Sequence, residues 1–222
     1  LPVGSTEAHG PHLPLSVDVI IAHEVCRRVA ERLTVPVVVF PAVTYSLTDF
    51  AAPFAGTVSI GAQTAHDFMV SVLNGIVASG FETIAVINHH LEPAHFRLVR
   101  EAAKIAQAAT RAHLVVPDHR RAPTGPQLGD EFMHGGSHAG QYETSLMLAV
   151  APQLVNESVR CHLPPLDVDL SAAIKNGASN FIECGGPEAY FGTPATATPD
   201  EGHRLFEILA DAAASSIRGV LK

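Results

Sequence analysis

A three-layer α/β/α sandwich around a mostly parallel sheet is the fold class that this 222-residue sequence predicts. Three observations lead there. Short β-branched runs alternate with longer stretches of helical period. The runs are apolar throughout, as in strands covered on both faces. One composition, 47% hydrophobic, extends along the chain with no shift that would mark a second domain, so residues 1–222 are expected to form a single one.

The elements follow in order. Leu1-Pro2-Val3 reads as the end of a strand, and a start at Leu1 rather than Met leaves room for an N-terminal piece before it. Asp18 is placed to cap a helix to about residue 33, with Ile20, Ile21, Val25 and Val29 at helical spacing. Residues 35–40, Val-Pro-Val-Val-Val-Phe, read as a buried strand, and 41–60 as a long loop rich in Pro, Ser, Thr and Gly. A helix is expected at 63–79, closed by Gly80, then a strand at 83–87. Pro93 suits the first turn of a helix to about 109, and 114–116 is a third strand. After a polar loop at 117–137 with a double glycine, Gly135-Gly136, a helix is expected from 138 to 150. Residues 155–200 read as irregular, and 201–220 as an amphipathic final helix. Right-handed crossovers between parallel strands then bring the segments that follow the strands to one edge of the sheet, where such folds bind ligands.

Composition narrows the function. A net charge of −8 argues against binding nucleic acid by phosphate neutralisation and against adhesion to an anionic membrane. No run of roughly 18 apolar residues and no signal-peptide pattern is present. Cys26, Cys161 and Cys184 are widely spaced and form no C-x-x-C pair, which fits buried thiols in a reducing cytoplasm. The unusual residue is histidine, 13 in all, several beside Asp and Glu.

Two such clusters each follow a strand. Glu7, His9 and Asp18 share a tight connection with two prolines and two glycines, and Asn88-His89-His90-Leu91-Glu92 follows the second strand. Alone, Glu-x-His or His-x-Glu is most often a solvated loop. Both pairs at equivalent points of the fold, with an Asp added, describe one site. Carboxylate and imidazole suit zinc or manganese, and five ligands exceed the need of one ion. Two ions roughly 3.5–4 Å apart are expected, with Asp18 bridging. A third cluster starts at His138, which is placed to carry a proton. Glu143 would complete a metal shell or orient a ligand. The plain alternatives are a surface histidine at a helix end and a solvent-facing carboxylate.

These residues resemble the creatininase (creatinine amidohydrolase) family of metal-dependent amide hydrolases. The matching stretches are 1–14 with Asp18, Phe54-Ala55-Gly56-Thr57, Asn88-His89-His90-Leu91-Glu92, 138–148, Gly185-Gly186 and Pro194-Ala195-Thr196-Ala197-Thr198, in the right order over nearly the whole chain. The resemblance implies an α/β/α sandwich and two divalent ions, zinc and often manganese. It also implies a ring-shaped homo-oligomer, commonly a hexamer. It places Glu7, Asp18 and His90 on one ion and His9, Asp18 and Glu92 on the other, with Glu143 nearby and His138 as the proton shuttle. Creatininase proper covers its flat substrate with tryptophans, whereas this sequence has no Trp, has His134 at one of those positions and Gly135 where an Asp is usual. The loop around Thr48 lacks a histidine that many relatives carry. Thr48, Leu91 and His134 are therefore the positions expected to shape substrate binding. The expected reaction is hydrolysis of a C–N amide bond, cyclic amide or formamide, in a small polar substrate, by a metal-bridging hydroxide. The alternatives are a peptidase that trims a precursor peptide, as in the mycofactocin branch, and a non-catalytic binding protein.

Overall fold

Residues 83–88 are the middle lane of the sheet in the computed structural model, which describes residues 1–135 and 137–221. Gly136, half of the double glycine, lies outside the described residues. The strands are β1 (Pro2–Val3), β2 (Thr83–Ala85), β3 (Ile87–Asn88) and β4 (His113–Val115). β1 pairs in parallel with β3, Pro2 opposite Ile87, and β2 pairs in parallel with β4, Thr83 opposite His113. Between them Val86 N donates to Val115 O and Ile87 N to Leu1 O, both at 2.9 Å. A parallel bridge from Val3 to Val43 adds a further lane beyond β1.

The described residues form the helices α1 (Val17–Arg32), α2 (Ala62–Ala78), α3 (Pro93–Ala108), α4 (Asp130–Met133), α5 (Gln141–Val150), α6 (Glu157–Arg160), α7 (Leu170–Lys175) and α8 (Pro199–Arg218), of which the long ones cover the sheet. On one face Ile21 and Val25 of α1, Leu146 of α5 and Phe206 of α8 share one apolar cluster. On the other, Met69 and Leu73 of α2 pack with Val99 of α3 against Val3 and Val86. The result is the expected three-layer α/β/α sandwich. α5 and α8 cross closely because position 202 is glycine: a Cβ there would lie 1.9 Å from the Ser145 carbonyl oxygen. Thr198 caps α8 by accepting from Glu201 N. No helix among the described residues is long and apolar enough to cross a membrane.

The expected elements and the structure differ in three places. Residues 35–40 form no strand, and Val35, Val37 and Val38 are exposed. Pro36 and Pro41 supply no backbone donor, and the lane beside β1 is taken by Val43 instead. The helix expected from 138 begins only at Gln141, because Ala139 has φ 51° and Gly140 is extended. The segment expected to be irregular, 155–200, contains the short helices α6 and α7.

Candidate functional site

The first cluster is gathered by a tight return of the chain. Glu7 N donates to Leu15 O at 3.1 Å, closing the loop between β1 and α1. Gly4 lies directly against the start of α1, where a Cβ would come within 2.7 Å of both Asp18 Cβ and Val19 N. That contact seats Asp18, in the first turn of α1, beside Glu7 and His9. All three side chains are buried.

His90 arrives from the end of β3, with its Nδ1 at 3.2 Å from both Glu7 Oε1 and Asp18 Oδ2. His9 Nε2 is 3.4 Å from Asp18 Oδ1 and 3.4 Å from Glu143 Oε2. Two compact groups result, Glu7–Asp18–His90 and His9–Asp18–Glu143, each with its ligand-type atoms within 4.8 Å of one another. Asp18 belongs to both and turns one oxygen toward each. Glu7, His9 and His138 form a third such group.

The electrostatics of these groups suit a cation. Burial alone would push the His9 imidazolium down, but Glu143, Asp18 and Glu7 outweigh it and raise its pKa to about 10. His90 behaves alike: burial opposes its charge, and Glu7 and Asp18 hold it well above the ordinary value. Asp18 is held well below the carboxylate range, its burial overcome by His9 and His90. Burial, only partly offset by His9, pushes Glu143 up to about 8. His9 Nε2 and Asp18 Oδ2 have no hydrogen-bond partner although fully buried. Buried polar atoms are rarely left so. The opposite ring nitrogens face backbone carbonyls, His9 Nδ1 toward Glu7 O at 3.2 Å and His90 Nε2 toward Leu47 O at 2.9 Å. Those carbonyls accept an N–H and leave the other nitrogen of each ring aimed at the carboxylates, as metal-binding imidazoles require. By this chemistry the residues fit two divalent ions.

Glu92 does not join either group. It is the residue before α3, its Oε2 accepts from Phe50 N at 3.2 Å, and it lies 3.9 Å from the far ring nitrogen of His90. Burial raises it to about 7. The place beside His9 and Asp18 expected of Glu92 is occupied by Glu143, whose Oε2 also accepts from Ala139 N at 2.7 Å. The left-handed Ala139 is what turns the chain so that this bond forms.

His138 packs between His9 and Phe181 with its ring tilted to both, at centroid distances of 4.3 and 4.2 Å. Its Nε2 donates to Ala8 O at 2.9 Å, so Nδ1, 3.8 Å from Glu7 Oε1, carries the lone pair that faces the carboxylates. Burial, aided by the His9 charge, lowers its pKa to about 3, so this imidazole is neutral.

Above these groups opens a cleft of about 280 Å³, with Glu7, Asp18 and His90 on its floor and Phe132, Leu170 and Phe181 among its walls. Of the three positions expected to shape substrate binding, Leu91 lines it. Thr48 does not: it is fully buried and donates its hydroxyl to Glu7 Oε2, so it fixes a carboxylate. His134 is exposed and turned back on the Asp130 carbonyl at 2.8 Å. Sequence reasoning missed Arg120 and the apolar walls, which come from loops and short helices without a motif. It also missed a buried chain beneath His90, in which Ser46 Oγ meets His95 Nδ1, His95 Nε2 meets Asn88 Oδ1, and Asn88 Nδ2 donates to His90 O.

Known proteins are similar to this chain over most of their length. A mycofactocin precursor peptide peptidase from Mycolicibacterium smegmatis is 32% identical over 225 residues, covering 98% of this chain and 83% of that protein. Creatinine amidohydrolase from Pseudomonas putida is 27% identical over 240 residues, covering 98% and 87%. Two solved creatininase structures, a manganese form and a Zn–Zn variant, match with TM-scores of 0.76 and 0.74, each 25% identical and covering 98% of this chain and 88% of the other. The family model for creatininase, creatinine amidohydrolase, matches residues 1–217. With the shared fold, the coverage and that match in agreement, the chain belongs to the creatininase family of hydrolases.

Proposed function

We propose that this chain is a metal-dependent amidohydrolase that cleaves a C–N amide bond. The observation that carries the reading is the pair of buried ligand groups sharing Asp18 at the floor of a cleft. Glu7, Asp18 and His90 would hold one ion, and His9, Asp18 and Glu143 the other. Two carboxylates and one imidazole in each suit zinc and manganese, the metals of the solved relatives. Bound there, such ions would supply an acidified water and a positive charge for the developing oxyanion.

The chain's own groups do the rest. His138, neutral and held by Ala8 O, presents Nδ1 to the floor of the cleft, takes a proton there and returns it to the departing nitrogen. Glu92, raised to about 7, faces the same cleft with a proton to exchange near neutral pH. Phe132, Leu170 and Phe181 keep bulk water from the reacting bond. A cleft of about 280 Å³ takes a small amide, or only the residues flanking the cut in a peptide.

The peptide reading is the second, and the 32% identity to a precursor peptide peptidase favours it. A homo-oligomer in the cytoplasm belongs to the same proposal; light scattering on the purified chain tests the assembly.

The decisive experiment is elemental analysis of the full chain, with Glu7→Gln and Glu143→Gln beside it, followed by hydrolysis assays on cyclic amides, formamides and short peptides. About two ions per chain, lost in part in each variant, are expected. A chain that takes up neither zinc nor manganese ends the hydrolase reading.

A further inference from the structure

Arg120 is the one Lys or Arg among the described residues that line the cleft. It also lines a second groove, which meets the first at Pro93 and Arg120 and contains Arg97, Arg100, Lys104 and Arg121. Five of the chain's 14 cationic side chains thus stand at one mouth of the site, in a protein of net charge −8. Among the described residues that line this groove Glu101 is the one acid, and Asp118, which pairs with three of the five cations, is the other carboxylate beside them.

Two features separate this rim from an ordinary solvated helix face. First, Arg120 is held in place. Its Nε and Nη2 donate to the two oxygens of Asp118 at 2.8 and 2.9 Å, and its guanidinium lies 3.6 Å over the ring of buried Phe96. A guanidinium fixed in this way loses little freedom when it binds an anion. Second, Asp118 is over-subscribed. Arg100 and Arg121 also approach it, at 3.9 and 3.6 Å, so one carboxylate faces three guanidiniums. Like charges gathered without matching acids repel one another, and such an excess is relieved when an anion binds.

The rim has a direction. α3 begins just after Glu92, which lies in the cleft, and leads away from it. Arg97, Arg100 and Lys104 follow at helical spacing, roughly 7, 12 and 18 Å from Glu92 along the axis. A substrate whose scissile amide sits over the floor of the cleft would run its remainder past Pro93 to Arg120 and then along this row.

We propose that the substrate carries a carboxylate on that side of the scissile bond, and that Arg120, backed by Arg97 and Arg100, selects for it. This rests on the amidohydrolase reading and narrows its substrate class to anionic amides, such as a peptide with a free C-terminus. Arg120 is a binding residue and takes no part in proton transfer.

The test uses the full chain loaded with zinc or manganese and a matched pair of short N-acetyl peptides, one ending in a free carboxylate and the other in a carboxamide. The expected result is a KM roughly tenfold lower for the carboxylate peptide, with similar kcat, and a preference that weakens as salt is raised. Arg120→Gln should raise KM for the carboxylate peptide alone. The double variant Arg97→Gln/Arg100→Gln alters only exposed residues and should shift KM in the same direction while metal content is unchanged. Equal KM for both peptides in the wild type, or variants that weaken both peptides alike, would overturn the inference. Calorimetric titration of the same peptides separates the two readings if neither is cleaved. Tighter binding of the carboxylate form, lost in Arg120→Gln, would uphold the anion site while the hydrolase reading fails. Equal binding would sink the inference.

Discussion

Metal uptake by this site should release about three protons per chain at pH 7. The number comes from the groups that face one another there. Without metal, His9 at about 10 and His90 well above its ordinary value both hold a proton at pH 7. Glu143, raised to about 8, is mostly protonated. Glu7, pushed up by burial but pulled further down by His90, and Asp18 hold none. Two imidazoliums against two carboxylates leave the site neutral, which is how so many ionisable groups tolerate burial. An ion can take His9, His90 and Glu143 only as free base and carboxylate, so each must give up its proton. Metal and protons compete, so affinity must fall as pH falls. Three protons correspond to about a thousandfold, or about 4 kcal/mol, in the combined affinity of two ions per pH unit below pH 7. Calorimetric titration of the metal-free chain with zinc, in buffers of different ionisation enthalpy, reads the proton count from the slope of observed heat against buffer heat. A count below one, or an affinity flat from pH 6 to 8, would refute the charge assignment and with it the pairing of His9 with Glu143.

Three further outcomes follow from single contacts. His138→Gln should lower kcat by about 10²- to 10⁴-fold, because the group that moves the proton is lost, while elemental analysis still finds both ions. Thr144→Val leaves His12 Nε2, which meets Thr144 Oγ1 at 2.9 Å, buried without a partner; it should cost about 1–3 kcal/mol, read as a thermal midpoint lower by roughly 2–4 °C for each kcal/mol. Gly4→Ala puts a Cβ 2.7 Å from Asp18 Cβ; overpacking of this kind costs about 1–3 kcal/mol, and the displaced Asp18 should show as weaker zinc binding, whereas unchanged affinity would mean that Gly4 does not seat the aspartate.

How far the site was legible in the sequence depended on how far each residue's direction was set by its own element. Glu7, His9 and Asp18 were legible because the strand, the tight loop and the helix start that carry them are each written locally, and Gly4 admits one close packing of that loop on α1. The same is true of His90, one residue beyond β3. The layers were legible too, since helical period and apolar runs are local signals. Residues 35–40 were not, because a β-branched run makes a strand only where a neighbour offers hydrogen bonds, and Val43 holds that lane.

Glu92 and Glu143 show the limit most clearly. The two-residue spacing of His90 and Glu92 copies that of Glu7 and His9, and it invites the same role. The spacing is honoured in the chain but not in space, because α3 begins at Pro93 and turns Glu92 toward Phe50 N. Glu143 reaches His9 only because Ala139 adopts φ 51°, a conformation costly for any residue with a Cβ and one that no pattern of residue types announces. The strained residue thus lies between the histidine that faces the cleft and the carboxylate that meets His9. Strain tends to persist where the surrounding structure over-determines a functional geometry. Here the bond from Ala139 N to Glu143 Oε2 and the bond from His138 Nε2 to Ala8 O hold the turn from both sides. Ala139→Gly would relieve the strain yet loosen both residues at once. A more stable chain with weaker zinc binding is therefore the expected result, and a variant that gains stability and keeps its metal would show that the turn is incidental.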